Sequence, residues 1–355
     1  MKILFLYRYG ILGGVCTQLF HRFRHLPTDN SLEIHCGFRS DHGVKEMLGE
    51  YATLHFGLNK ETTKSFLEEN KFDLIIIIDT EEYIDAVSEI ELDSKIIVEV
   101  HTSIERNLEY LSRIKAEDID SFITVSQYMI DRIKHHIQPE LKDKNITTFQ
   151  NVLDSDLFKP IDVETSGPPV IGWVGKIDDH KDWKAFMQIS SLIRKTNQEV
   201  EFWIVGGQTC PEALAQEVFD YAEEMGIISK FKWIDRIVNI KMASLYSILS
   251  KRNGLTLVTS HCESFGMSVL ESLLAGSPIV CTDVGALPEI TPESEFFKLY
   301  DLQNYEVAAS KCIEVLSKSE FTNNLLGEHR AKLVDKYDSS KRSIEYWNIL
   351  QKQVE

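Results

Sequence analysis

The sequence predicts an α/β protein made of two consecutive doubly wound halves. Short apolar runs such as L-I-I-I-I at 74–78 alternate with longer amphipathic stretches, the rhythm of strand–helix–strand units around a parallel sheet. That alternation runs through once, pauses at K-P-I-D-V-E-T-S-G-P-P (159–169), and begins again. A chain of 355 residues is long enough for two domains, each with its own core.

In order, residues 2–7 read as the first strand; a signal peptide is the poorer reading because Arg8 breaks the apolar run and no small-residue cleavage site follows. A loop with Gly10, Gly13 and Gly14 leads into a helix over 15–26. Further strands are expected at 32–36, 74–78, 96–100, 122–125 and 146–150, with helices at 60–70, 104–115 and 127–136. The second series runs strand 170–174, helix 183–196, strand 201–205, helix 211–225, strand 230–234, helix 242–249 and strand 255–259. Met267, Val269, Leu270, Leu273 and Leu274 then recur at helical spacing; Gly276 with Pro278 beyond it stops that helix, and 279–281 is a short buried strand. Ile344, Trp347, Leu350 and Val354 share one face of a final helix over 340–354.

The net charge of −17 argues against a general nucleic-acid binder and against broad adhesion to an anionic membrane. No apolar run approaches the length of a membrane span. The six cysteines (Cys16, Cys36, Cys210, Cys262, Cys281, Cys312) show no C-x-x-C spacing, which suits reduced thiols rather than a disulfide framework or a zinc site. The one basic cluster, His21-Arg22-Phe23-Arg24-His25, ends the first helix, where cations complement the dipole; an anionic acceptor or a lipid headgroup is the alternative occupant.

The most informative segment is S-H-C-E-S-F-G-M-S-V-L-E-S-L-L-A-G-S-P-I-V (260–280). Glu263 precedes a helix start at Gly266 and Glu271 lies about two turns beyond it. A helix N-terminus presents N–H donors and the positive end of the dipole, so it suits a phosphate. A carboxylate two turns away suits hydroxyl donors such as a ribose diol. Two solvated glutamates flanking a helix start are the plain alternative.

E-S-F-G-M-S-V-L-E resembles the E-x7-E signature of retaining glycosyltransferases of family 4. The resemblance implies the GT-B fold, two Rossmann-like domains facing each other across a cleft: an acceptor-binding domain over 1–160, a nucleotide-sugar domain over 161–338, and a helix over 339–355 returning to the first domain. It implies Glu263 beside the donor sugar, Glu271 on the ribose, and Ser264, Phe265, Gly266 and Met267 as the backbone cradle, with Ser260 positioning the loop. W-V-G-K-I-D-D-H-K-D (173–182) resembles the family's diphosphate-binding element and assigns Lys176 and Lys181 to the phosphates; Lys stands for Arg at 176, and Asp182 for a glycine. Gly13 and Gly14 match the glycine pair lying over the donor, and His101, after the strand at 96–100, the histidine that contacts the sugar. Gly206, with Gly207, matches the glycines near the nucleotide, and residues 233–236 would lie near the base. In Q-N-V-L-D-S-D-L-F-K-P (150–160), Asn151, Asp154, Phe158 and Pro160 match the interdomain element, whereas Val152 replaces a glycine.

The activity implied is transfer of a sugar from a nucleoside diphosphate donor to an acceptor hydroxyl with retention, in cell-surface glycan or glycoconjugate synthesis such as polysaccharide biosynthesis. No cofactor and no metal are expected; the D-S-D at 154–156 belongs to the interdomain element. The acceptor is open among glycan, lipid-linked and small-molecule classes, and the base between uracil, guanine and others. The location implied is the cytoplasm, with at most transient contact at the inner face of the membrane. The rival readings are a sugar-nucleotide epimerase and a catalytically inactive accessory subunit of the same fold.

Overall fold

In the computed structural model the described residues are 1–26, 32–207, 210–318 and 323–354. By packing they divide into two units, Met1–Asp154 with Tyr337–Glu355, and Ser155–Lys336. The stretch 159–169 is tied to the second unit, where Ile161 N donates to Ser247 Oγ (2.9 Å) and Arg252 Nε to the Pro168 carbonyl (2.8 Å).

The first unit is built on seven parallel strands in the order Thr53–His55, Glu33–Gly37, Lys2–Tyr7, Leu74–Ile78, Lys95–Val100, Ser121–Thr124 and Asn145–Thr148. The chain starts mid-sheet, steps outward one way, then reverses, so the switch point lies between Lys2–Tyr7 and Leu74–Ile78. Leu74–Ile78 is apolar without alternation because both its faces are covered. The helix Gly14–Phe23 and the last helix, Ser339–Val354, share a core in which Phe5, Phe23, Phe149, Tyr346 and Trp347 pack together. Where the chain leaves this unit and where it re-enters, Leu153 and Asp338 pair as a parallel bridge.

Two expectations in this unit are corrected. Residues 104–115 do not form an α-helix; they form two 3-10 turns, Glu105–Asn107 and Glu109–Arg113. Leu108, Leu111 and Ile114 are buried at intervals of three, which matches the 3-10 repeat, and no side chain caps the start. In the last helix Ile344 points outward, and the buried face runs through Ser339, Ser343, Tyr346, Trp347 and Leu350. The short strand Thr53–His55, the helices Val44–Leu48 and Glu81–Ser88, and a two-stranded ribbon pairing Tyr9–Ile11 with Ser40–His42 were not expected from the sequence.

The second unit has six parallel strands in the order Phe231–Ile234, Glu201–Val205, Val170–Val174, Leu255–Val258, Ile279–Thr282 and Phe297–Tyr300. This is the 3-2-1-4-5-6 order of dinucleotide-binding sheets, with its switch point between Val170–Val174 and Leu255–Val258. Trp173, Trp183, Phe186, Phe202 and Leu257 fill one core beside the helix Trp183–Thr196. Among the described residues no helix is long and apolar enough to cross a membrane.

Candidate active site

At the switch point of the second unit the first and fourth strands of the sheet diverge, and the loops after them meet. Gly175 N donates to the Val205 carbonyl (3.1 Å), and the chain then turns through Asp178, whose Oδ1 accepts from Lys181 N (2.9 Å). Thr259 anchors the turn from the other strand. Its hydroxyl accepts from Trp173 Nε1 (2.9 Å) and lies 2.8 Å from the carbonyls of both Lys181 and Asp182.

Asp182, standing where the family pattern has glycine, adopts a left-handed conformation (φ 50°). A short polar side chain tolerates that region better than most. Its carboxylate also accepts from Ala185 N (3.0 Å), capping the helix Trp183–Thr196, and pairs with His261 Nε2 (2.8 Å). Asp182 thus takes a left-handed conformation that glycine adopts freely, and adds a cap.

On this frame Lys181 Nζ meets Glu263 Oε1 in an ion pair, and Ser260 Oγ donates to the same oxygen at 2.7 Å. Burial pushes the Glu263 carboxyl up, but the Lys181 ammonium and the Ser260 hydroxyl outweigh it and hold the group below its usual range. Gly285 (φ 57°) lies so close that a Cβ there would sit 2.2 Å from the Glu263 carbonyl, and Ala286 N donates to that carbonyl at 2.9 Å. Glu263 is thus held through both side chain and backbone.

The helix Met267–Leu274 follows immediately, with Gly266 as its N-cap at φ 100°; a Cβ there would meet Leu287 Cδ2 at 2.4 Å. The N–H groups of a helix's first turn favour anions, and of these Val269 N already donates to the Gly266 carbonyl (3.1 Å). Glu271 sits on this helix, buried, and accepts from the Tyr246 hydroxyl at 3.1 Å. Burial raises its carboxyl to about 7, against the opposing hydrogen bonds of Tyr246 and Asn239. The two glutamates therefore differ: a cation holds Glu263 below the usual carboxylate range, whereas burial lifts Glu271 to about 7.

Lys176 lies on the exposed turn, and among the described residues no carboxylate pairs with it. Gly206 (φ 124°) packs back-to-back on Gly175, whose carbonyl a Cβ would approach to 2.1 Å, while Trp233 Nε1 donates to the Gly206 carbonyl (2.7 Å). Close loop packing therefore demands this glycine. Beside the Lys181 turn a cavity of about 420 Å³ is lined by Asp179, His180, Asp182, Trp183, Lys184 and His261, and none of the donor residues assigned from the sequence lines it.

The remaining assigned residues belong to the first unit. Gly13 caps the helix Gly14–Phe23 in extended geometry; a Cβ on Gly13 would meet only Ile11, and one on Gly14 nothing within 4 Å. No local strain requires either glycine. His101 follows the strand Lys95–Val100; its N–H donates to both Asp79 carboxylate oxygens (3.0 and 3.1 Å) and its Nε2 to Glu99 Oε1 (2.8 Å).

The basic cluster is corrected here. Arg22 does lie in the last turn of its helix, but it is wholly buried on Glu99 (2.5 Å), and Arg24 and His25 pair with Asp154, so Arg22 is not open to an anionic acceptor or a lipid headgroup. Val152 keeps a negative φ and exchanges both backbone hydrogen bonds with the Gln18 side chain (2.8 and 2.9 Å). The sequence reading passed over Glu99, Asp79, Thr259 and Tyr246. Glu99 left a signal, a lone carboxylate inside the apolar strand I-I-V-E-V. Among the described residues no group of three or more His, Cys, Asp or Glu side chains is placed to hold a metal ion.

The sequence pattern of the family described as glycosyl transferases group 1 matches residues 154–332. The 2-deoxystreptamine N-acetyl-D-glucosaminyltransferase of Niallia circulans is 23% identical over 185 residues, 52% of this chain and 46% of that protein. The N-acetyl-alpha-D-glucosaminyl L-malate synthase of Bacillus anthracis is 22% identical over 252 residues, 68% of this chain and 62% of that one. The chain thus spans about half the length of the curated relatives it matches. Among solved structures, HepE of Anabaena in complex with UDP and glucose shares the fold with a TM-score of 0.81 at 17% identity, over 99% of this chain and 100% of that one. With the family pattern covering half its length, and the fold that of the GT-B glycosyltransferases, the chain belongs to the glycosyl transferases group 1 family.

Proposed function

We propose that the protein is a retaining glycosyltransferase that moves a sugar from a nucleoside diphosphate donor to an acceptor hydroxyl, in the synthesis of a cell-surface glycan or glycoconjugate. The observation that carries this reading is the pairing of Glu263 with Lys181 and Ser260 at the switch point, next to a helix N-terminus that carries Glu271 in its second turn. Lys181, Lys176 and the first turn of Met267–Leu274 would stabilise charge growing on the leaving diphosphate, preorganised electrostatics of the kind that favours such departures. Glu271 would accept from the ribose diol and Glu263 would orient the sugar.

In the step, the bond from the anomeric carbon to the phosphate oxygen breaks and one to the acceptor oxygen forms on the same face. The acceptor proton passes to the departing phosphate oxygen. The nucleoside diphosphate then leaves. Gly13 and Gly14 would admit the donor closely, and His101 would contact the sugar. We assign no metal to the step. The HepE structures with UDP and UDP-glucose make a uracil nucleotide the first donor to try.

The test is incubation of purified protein with UDP-, GDP-, ADP- and TDP-sugars, following release of nucleotide and sugar by NMR. Slow release of sugar whose first-formed anomer matches the donor supports retention. Conversion of the donor to its epimer instead would replace the reading with an epimerase, and inertness toward every donor would favour an accessory subunit.

A further inference from the structure

Strand geometry places Glu99 and His101 on the same face of Lys95–Val100, because side chains two apart point the same way. The carboxylate of Glu99 is entirely buried and takes three donors from three separate elements. Arg22, from the helix Gly14–Phe23, reaches Oε1 at 2.5 Å. Tyr346, from the last helix, donates its hydroxyl to Oε2 at 2.9 Å. The third donor is His101 Nε2, at 2.8 Å. The Arg22 guanidinium lies over the rings of Tyr346 (4.3 Å) and Phe149 (5.1 Å), which touch each other with centroids 4.8 Å apart.

Burying an Arg–Glu pair is a poor way to gain stability, since an apolar pair of similar volume often serves as well or better. What the pair does that apolar side chains would not is orient a third polar group. A carboxylate accepting at Nε2 requires the proton on that nitrogen and leaves Nδ1 for whatever the ring meets outside; the tautomer of a histidine follows the hydrogen bond made by its other nitrogen. The backbone of the same residue is held by Asp79, itself in a left-handed conformation (φ 41°) at the end of the neighbouring strand. His101 is therefore fixed by ring and main chain together.

We propose that Arg22, Glu99 and Tyr346 are positioning residues for His101, a relay that ties the C-terminal helix to the ring assigned to the sugar and holds that ring as the Nε2–H tautomer. The proposal rests on the reading of His101 given under Proposed function. Glu99 keeps its charge in this role: burial pushes its carboxyl up, but Arg22 and His101 more than offset that and bring it down to about 2.

The test combines a spectroscopic and a kinetic readout on the full chain, with Glu99→Gln as the near-isosteric change and Tyr346→Phe as a gentler one that retains the packing. Two-bond ¹⁵N–¹H correlations of histidine-labelled protein should show His101 as a single Nε2–H form in the parent and as a mixture in Glu99→Gln. With the donor that turns over, Glu99→Gln should lower kcat roughly 100-fold, the scale of a misplaced contact, while KM for the donor stays within a small factor. Tyr346→Phe should lower kcat about 3- to 10-fold through loss of one hydrogen bond.

An Nδ1–H or freely exchanging ring in the parent overturns the relay, whatever the reaction. So does a Glu99→Gln protein with unchanged kcat when His101→Ala is inactive, a result that leaves the functional reading intact. If His101→Ala is fully active while Lys181→Ala is dead, the role of His101 is wrong and the relay falls with it.

Discussion

Lys181 and Glu263 depend on one another more than on solvent. Lys181→Ala would leave Glu263 buried without its counter-charge. Such a protein is expected to bind a nucleoside diphosphate at least about 10-fold more weakly, because a charge-assisted contact to phosphate is lost as well. Isothermal titration checks it. Glu271 gives a pH signature with a definite sign. Its folded carboxyl keeps the proton up to about 7, whereas an unfolded glutamate releases it near 4.5. Between those values the native state binds more protons, so this group's contribution to stability falls as pH rises through that window, by no more than about 3 kcal/mol. Urea melts at pH 5 and pH 7.5 should show the drop, and Glu271→Gln should remove that share of it. A ribose diol donating to the carboxylate favours the ionised form, so nucleotide affinity is expected to rise from pH 6 to pH 8 in the parent but not in Glu271→Gln.

At the level of loops and helices, the glycines separate structural demand from access. Gly266→Ala places a Cβ at φ 100° against Leu287 and should destabilise the second unit by about 1–3 kcal/mol. Gly14→Ala meets nothing and enters the first turn of a helix, so its melting temperature should hold or rise slightly. If donor passes close to that backbone, the same variant raises KM for the donor; thermal melts and steady-state kinetics of the pair separate the two roles. Trp347→Ala, which empties the seam between the first and last helices, is expected to destabilise the first unit by about 3–5 kcal/mol in a denaturant titration.

The regular elements were legible where apolar period decided them: Leu74–Ile78, Val170–Val174, Trp183–Thr196 and Gln127–His136 lie where the sequence places them. Residues 104–115 misled because apolar positions three apart satisfy a helical count while suiting a tighter turn. Glu263 and Glu271 were readable because both lie on one local segment. Their partners were not: Thr259 meets the Lys181 carbonyl across 78 residues, and Tyr246 meets Glu271 from another helix. Crossovers of a parallel sheet bring such groups together, and no local pattern marks them. Asp182 showed how a departure from a family pattern can be conservative, since the backbone needed a left-handed residue rather than glycine itself.

Over the molecule as a whole, two doubly wound sheets each carry a switch point at the carboxyl ends of their strands, and polar side chains that the apolar cores do not explain gather there. In the first unit these are Asp79, Glu99 and His101; in the second, Lys181, Ser260, Glu263 and, one helix further, Glu271. The measurement that bears most directly on this account is isothermal titration of UDP and UDP-glucose into the full chain, run in parallel on Lys181→Ala and Glu271→Ala proteins whose melting curves show them folded. The account predicts saturable binding of one nucleotide per chain in the parent and a loss of at least about 10-fold in affinity in each variant. Binding of the same strength in all three proteins would contradict it, because the nucleotide would then be held somewhere other than the switch point of the second unit.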